Sequence, residues 1–241
     1  MKLPTLIKTN FLSREKRFFA HCQLPDGTAI TAHCANTGSL RGVLDRNPAF
    51  AYVHHNPSPT RKLAYSLELM ELADGTLTGV HTGRTNPLAA EWLAAHYPNH
   101  TLKPEAAYDN FTQEEMVESK EAKTRFDFLL TDEKGQRTWV EVKTVTCIDD
   151  ERNSMFPDAV STRGQKHLHT LIHATQNGDS ALQLYMIMRD DTKAFRSASE
   201  IDPAYAAALK EAQKAGVQIL ALQHKVTPTA LTFTKALPLS V

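Results

Sequence analysis

Residues 125–147, RFDFLLTDEKGQRTWVEVKTVTC, constrain the fold more than any other stretch. Two apolar runs, FDFLL and TWVEVKTVT, flank the polar turn TDEKGQ, and their period-two alternation is that of a β-hairpin. With the turn centred on Lys134, Asp127 stands opposite Glu141. Side chains opposed in this way sit about 4.5–5.5 Å apart at Cβ. Two carboxylates that close repel unless a proton or a cation intervenes. Lys143, two residues beyond Glu141, shares its face together with Trp139 and Val145. Val140, Val142, Thr144 and Thr146 take the other face, and apolar residues on both faces mark a central strand. A simple ion pair would satisfy Glu141 and Lys143 but leaves Asp127 unexplained. A hard divalent cation, Mg2+ or Mn2+, accounts for all three residues. On that reading Asp127, Glu141 and the Val142 carbonyl hold the metal, which activates a water and neutralises a phosphate. Lys143 orients or deprotonates that water, or stabilises developing negative charge.

A third acid is expected to complete the shell. In TGRTNPLAAEWLAAHYP, Asn86 is a helix cap, Pro87 fits the first helical position, and Leu88, Glu91, Trp92 and Ala95 form a helical stripe. A Glu91 on a core-facing stripe needs a partner, and the metal is one. Glu118, in EEMVESKEA, is its rival for that role. A structural ion cluster, or a Glu91 that simply reaches water, is the plainer alternative.

Residues 5–80 are β-rich, with strand-like runs separated by PDG, TGS, NPSP and ADG, the pattern of a small barrel of the oligonucleotide-binding type. Net charge is +0, but residues 1–62 hold nine Lys/Arg against three Asp/Glu, whereas residues 91–151 hold seven against fourteen. Neutrality argues against binding a polyanion by charge alone, while the basic front half suits a phosphate backbone. In SREKRFF, Arg14, Lys16 and Arg17 interleave with aromatics, as on a single-strand-binding surface or simply on a charged strand edge. In CANTGSLRGVL, the turn Asn36, Thr37, Gly38, Ser39 offers N–H groups and hydroxyls to a phosphate, with Arg41 supplying charge, or else caps the next segment. Arg61 and Lys62 add charge on a loop.

The change from strand to helix divides the chain into a barrel, 1–82, and an α/β domain, 83–241. Beyond the hairpin, a helix starting near 162–165 carries Arg163, Lys166, His167 and His173, the first two in reach of phosphate. His167, His169 and His173 lack the spacing of a zinc site. ALQLYMIMR, DPAYAAALKEAQKAG and VQILALQHKV read as strand, helix and strand, completing a mixed α/β domain. Three widely spaced cysteines suggest reduced thiols. No apolar run is long enough to span a membrane and no secretory leader is visible, so a cytoplasmic location is expected.

The stretches KRF, AHCANTGSLRG, RKLAYSLEL, TGRTNPL, RFDFLL, VEVKTVT, FPDAVSTRGQKHL and DPAYAAALKEA run through nearly the full chain. In them the sequence resembles the sugar fermentation stimulation protein family. That resemblance implies an oligonucleotide-binding barrel joined to a restriction-endonuclease-like domain, DNA binding, and a regulatory link to sugar or maltose metabolism. The nuclease-type acids map to Asp127 and Glu141, with Lys143 as the basic member, and the family's TARxN pattern stands here as TGRTN, keeping Arg84 and Asn86. The functional expectation is therefore a DNA-binding protein with an Mg2+- or Mn2+-dependent nuclease site. The alternatives are a non-catalytic DNA-binding regulator on a nuclease scaffold and a nucleotide-binding regulator. RNA as a partner and a homodimer are both compatible with the sequence.

Overall fold

In the computed structural model, which describes residues 1–109 and 124–240, the hairpin forms in the expected register. Strand β8 (Thr124–Thr131) runs antiparallel to β9 (Arg137–Val145), pairing Phe128 with Val140 and Thr131 with Arg137. The Asp132 carboxylate closes the turn by accepting the N–H groups of Lys134 and Gln136.

The front of the chain folds as a closed barrel of β1 (Ile7–Glu15), β2 (Phe19–Gln23), β3 (Ala29–His33), β4 (Phe50–His55) and β5 (Tyr65–Glu71). Strand β1 pairs with both β2 and β4, and the parallel pairing of β3 with β5 closes the cylinder. This is the oligonucleotide-binding topology, with β6 (Leu77–Gly79) added beside β5. Small residues fill the interior, among them Ala20, Cys22, Ala32, Cys34 and Ala51, around Leu67 and Met70. All three cysteines are buried free thiols.

The second domain is built on a mixed sheet in the order β14-β13-β11-β9-β8-β7. Its other strands are β7 (Thr101–Tyr108), β11 (Ser180–Ile187), β13 (Gln218–Val226) and β14 (Leu231–Ala236). The central strands β9, β11 and β13 are parallel and in register. Helix α1 (Thr85–His96) covers one face, over Val140, Val142, Leu184 and Met186. Helices α2 (Thr162–Gln176) and α3 (Pro203–Lys214) cover the other, over Trp139, Val145, Tyr185 and Ala221. Ser161 caps α2 by accepting from the Gly164 N–H, and Asp202 caps α3 by accepting from that of Tyr205. A small parallel sheet, β10 (Asn153–Phe156), β12 (Ala194–Ser197) and β15 (Leu239–Ser240), lies alongside, and the sequence did not announce it.

Helix α1 departs from expectation in its phase. It begins at Thr85, after a short 3-10 turn, Thr82–Arg84, so Asn86 lies inside the helix rather than at its cap. The buried stripe is Thr85, Leu88, Ala89 and Leu93, and Glu91 and Ala95 face outward.

The two domains are bolted together. The Arg189 guanidinium, fully buried, donates to the carbonyls of Gly42 in the barrel and Thr146 just beyond β9 while forming a two-pronged pair with Asp191. Gly42 has φ +78, and a Cβ there would strike Ile148 of the second domain. Among the described residues no helix is long and apolar enough to cross a membrane.

Candidate functional site

The site lies where two strands part. The β8–β9 ladder ends at Phe128↔Val140, and the next inward-facing donor, the Val142 N–H, bonds to the Asp127 carboxylate at 2.8 Å instead. Alternation breaks at the same point. Phe126 packs in the core beneath α2 and α3, whereas Phe128 and Leu130 pack beneath α1. Asp127 therefore occupies a crossing between the two faces. Its other oxygen accepts from the Asn86 amide on α1 at 2.8 Å. Burial and then the charge of Glu141 push the Asp127 carboxyl above its ordinary value, against the bonds from Val142 and Asn86 and the charge of Lys143.

Glu141 is 3% exposed. One of its oxygens, Oε1, accepts from Lys143 Nζ and from His167 Nδ1, each at 2.5 Å. Burial alone would raise the Glu141 carboxyl, but the His167 bond and the Lys143 charge outweigh it and hold the group below the usual range. The His167 tautomer is fixed by its neighbours. Arg163 Nε can only donate and approaches His167 Nε2 at 3.4 Å, so the ring proton sits on Nδ1 and points at Glu141. Glu141 Oε2 is buried and makes no hydrogen bond among the described residues, and the same holds for Oε1 of Gln183, the in-register neighbour on β11. Two buried acceptors without donors side by side are costly unless a cation or water satisfies them.

Asp127, Glu141 and Lys143 are thus brought together, with each acid held by a helix on a different side of the sheet. Glu91 does not join them. It lies five residues beyond Asn86, more than a turn along α1 and on another face, and pairs with the Met1 amine at 2.9 Å. Glu118 lies outside the described residues. Among the described residues no group of three or more His, Cys, Asp and Glu side chains is placed to hold a metal. His167 and Asn86 are the residues sequence reasoning missed as partners of the acid pair.

The residues expected to touch nucleic acid divide in two. Arg14 donates to the carbonyls of Asn36, Gly38 and Ser39 and shapes that turn from behind. Arg84 makes a two-pronged bond to the buried Glu68. The Asn36–Ser39 turn does hold an anion, and the anion is internal. The Asp158 carboxylate accepts from Ser39 Oγ and the Leu40 N–H, while Asn36 Oδ1 takes the Gly38 N–H. A Cβ at Gly38 would collide with Asp158, so only glycine allows this approach. Lys16, Arg17, Arg41, Lys62 and Arg163 are exposed, and Arg163 stands nearest the acids through His167. Lys16 pairs with Glu15, Arg17 reaches the Thr37 carbonyl, and Arg61 donates to Ser66. Lys166 is half-buried on α2.

An oligonucleotide-binding barrel fixed to a restriction-endonuclease-like α/β domain, with an Asp, a Glu and a Lys where the central hairpin opens, defines the class. The model of the SfsA N-terminal OB domain matches residues 12–80, and that of the sugar fermentation stimulation protein RE domain matches residues 83–230. A sugar fermentation stimulation protein homolog of Geobacter metallireducens is 40% identical over 239 residues, covering 99% of both chains. That of Rhodospirillum centenum is 40% identical over 241 residues, covering 100% of both. The chain belongs to the sugar fermentation stimulation protein family. A solved structure of Pyrococcus furiosus SfsA in complex with Ca2+ shares the fold, with TM-score 0.80 and 24% identity over 100% of this chain and 98% of that one.

Proposed function

We propose that the protein binds DNA and cleaves its backbone at the Asp127–Glu141–Lys143 site with a divalent cation, Mg2+ or Mn2+. The observation that carries this reading is the buried, unpartnered Oε2 of Glu141 beside a second carboxylate whose pKa is raised. Hard carboxylate oxygens suit such a cation. A relative of the same fold has been solved with Ca2+. Asp127, Glu141 and the Val142 carbonyl would hold the ion, which when bound supplies Lewis acidity and a more acidic water.

The chain's own residues do the rest. His167 and Lys143 pin Oε1 of Glu141, leaving Oε2 free. Asn86 and the Val142 N–H fix the Asp127 carboxylate in place. Lys143 stands against Glu141 with a largely buried side chain and can donate to a phosphate oxygen or to the attacking water. Exposed Lys16, Arg17, Arg41, Lys62 and Arg163 supply phosphate contacts, so affinity should fall with salt.

Labelled DNA incubated with Mg2+ or Mn2+ tests this. Cleavage by the native chain, lost in Asp127→Ala and Lys143→Ala, supports it. Binding without cleavage favours a non-catalytic DNA-binding regulator. One observation leans that way: both Asp127 oxygens already accept bonds from within the chain.

A further inference from the structure

Between the barrel and the second domain lies a cleft of about 210 Å3, lined by residues of both. We propose that it receives one unstacked nucleobase carrying an exocyclic amino group. The proposal rests on the nucleic-acid reading above and extends it to the part of the strand beyond the acids.

Placement comes first. The cleft is walled by the last residues of β9 and those just beyond it, Thr144 to Cys147, directly after Lys143. At about 3.3 Å per residue, Thr144 is roughly 10 Å along the strand from Glu141, a distance that a short piece of extended nucleic acid bridges. The crevice outside the carboxyl ends of parallel strands is where open α/β sheets bind ligands, and β9 pairs in parallel with β11.

Size and chemistry then select the occupant. At ~30 Å3 per water the cleft holds about seven waters' worth of volume, the scale of one heterocycle and below the ~300 Å3 at which pockets for larger ligands begin. None of the described lining residues is basic, so a phosphate finds no counter-charge there. The wall combines apolar surface from Met155 and Phe156 with polar edges from Asn36, Thr146 and Asp158. Asn36 is 8% exposed and Thr146 is 5% exposed. The Asn36 amide accepts through Oδ1 from Gly38, but its NH2 donates to nothing in the described chain. The Thr146 hydroxyl likewise has no partner among the described residues. Asp158 spends Oδ2 on Ser39 and Leu40 and keeps Oδ1 open. A donor and a hydroxyl on nearly buried residues and an acceptor on half-buried Asp158, around an apolar slot, match the edge of a base. An open carboxylate oxygen accepts from an amino group, as acidic side chains do from cytosine N4, and finds no such group on thymine.

The test uses the full chain carrying Asp127→Asn, so that no strand is consumed, with Thr146→Met to fill the cleft and Thr146→Val to remove only the hydroxyl. Thr146→Val keeps the shape and breaks no bond within the protein, so it serves if the larger residue prevents folding. Single strands holding one 2-aminopurine between adenines report unstacking by fluorescence, and anisotropy reports affinity. Fluorescence should rise several-fold on binding to the Asp127→Asn parent and stay flat with Thr146→Met. Affinity should weaken about 10-fold with Thr146→Met, or when an abasic site replaces the base, the low end of what one base contact is worth. It should weaken about 3-fold with Thr146→Val, as for one neutral hydrogen bond. Equal affinity and equal fluorescence across the three proteins, with binding intact, overturn the proposal and leave the function above standing. If no strand binds the native chain either, that function fails, and saturation-transfer NMR with free adenosine, cytidine, guanosine and thymidine decides the cleft. Signals from the amino-bearing nucleosides that vanish in Thr146→Met uphold a base pocket, and their absence overturns it.

Discussion

Asp127 carries a charge that the fold resists. Burial and the neighbouring Glu141 raise its carboxyl pKa, so its contribution to stability is complete below the unfolded value near 3.9 and is lost as pH rises through the folded one. Asp127→Asn removes the charge, keeps an oxygen for the Val142 N–H, and lets the exposed Asn86 amide turn to accept from the new NH2. It should raise Tm at pH 7 by a few degrees, about what 1 kcal/mol gives a chain of this size, and the gain should vanish near pH 3. A calorimetric series across pH checks both. The opposite sign is expected at His167, whose Nδ1–H helps to hold Glu141 ionised. His167→Ala strips a buried carboxylate of a donor and should cost about 1–3 kcal/mol in urea unfolding at pH 7.

Strand β13 shows a different strain. His224 is fully buried, donates through Nδ1 to the Ile187 carbonyl at 3.2 Å, and leaves Nε2 without a partner among the described residues. Burial pushes its imidazole down to about 4. The unfolded chain takes up this proton near pH 6.5 and the folded one does not, so stability should fall between pH 6.5 and 4, by on the order of 3 kcal/mol at most. Against His224→Gln, the native chain should lose ground across that window in denaturant titrations. Elements like β13 were legible because apolar runs bounded by glycine mark strands, and the register of β8 on β9 followed from the turn at Lys134. The phase of α1 was not. TNPLAAEWLAAH has alanine on several faces, so more than one stripe can be buried, and only packing selects Leu88, Ala89 and Leu93. That is why Glu91 points away from the acids while Asn86, also exposed, reaches Asp127. His167 was one of three histidines on its helix, and which one meets Glu141 is decided across the sheet. The turn at Asn36–Ser39 showed its taste for an anion, but nothing local showed that Asp158, far along the chain, would be that anion.

Across the molecule, Arg189 makes the two domains one unit. Its removal would leave Asp191 unpaired and strand the carbonyls of Gly42 and Thr146. Arg189→Met should cost about 3–5 kcal/mol, the usual loss when a buried pair is broken, and should split one thermal transition into two. A calorimetric trace that stays single would show that the apolar contact of Tyr52 and Leu69 with the second sheet suffices as the coupling. The crossing of Asp127 between faces matters at this scale as well. One acid takes its bearing from α1 and the other from α2, which never share a layer. The pair works like a rivet through a plate: slack on either side tilts one head, and mutual repulsion passes the tilt to the other. The cleavage proposed for this centre should therefore respond to loosening of either helix layer, well before the sheet between them gives way.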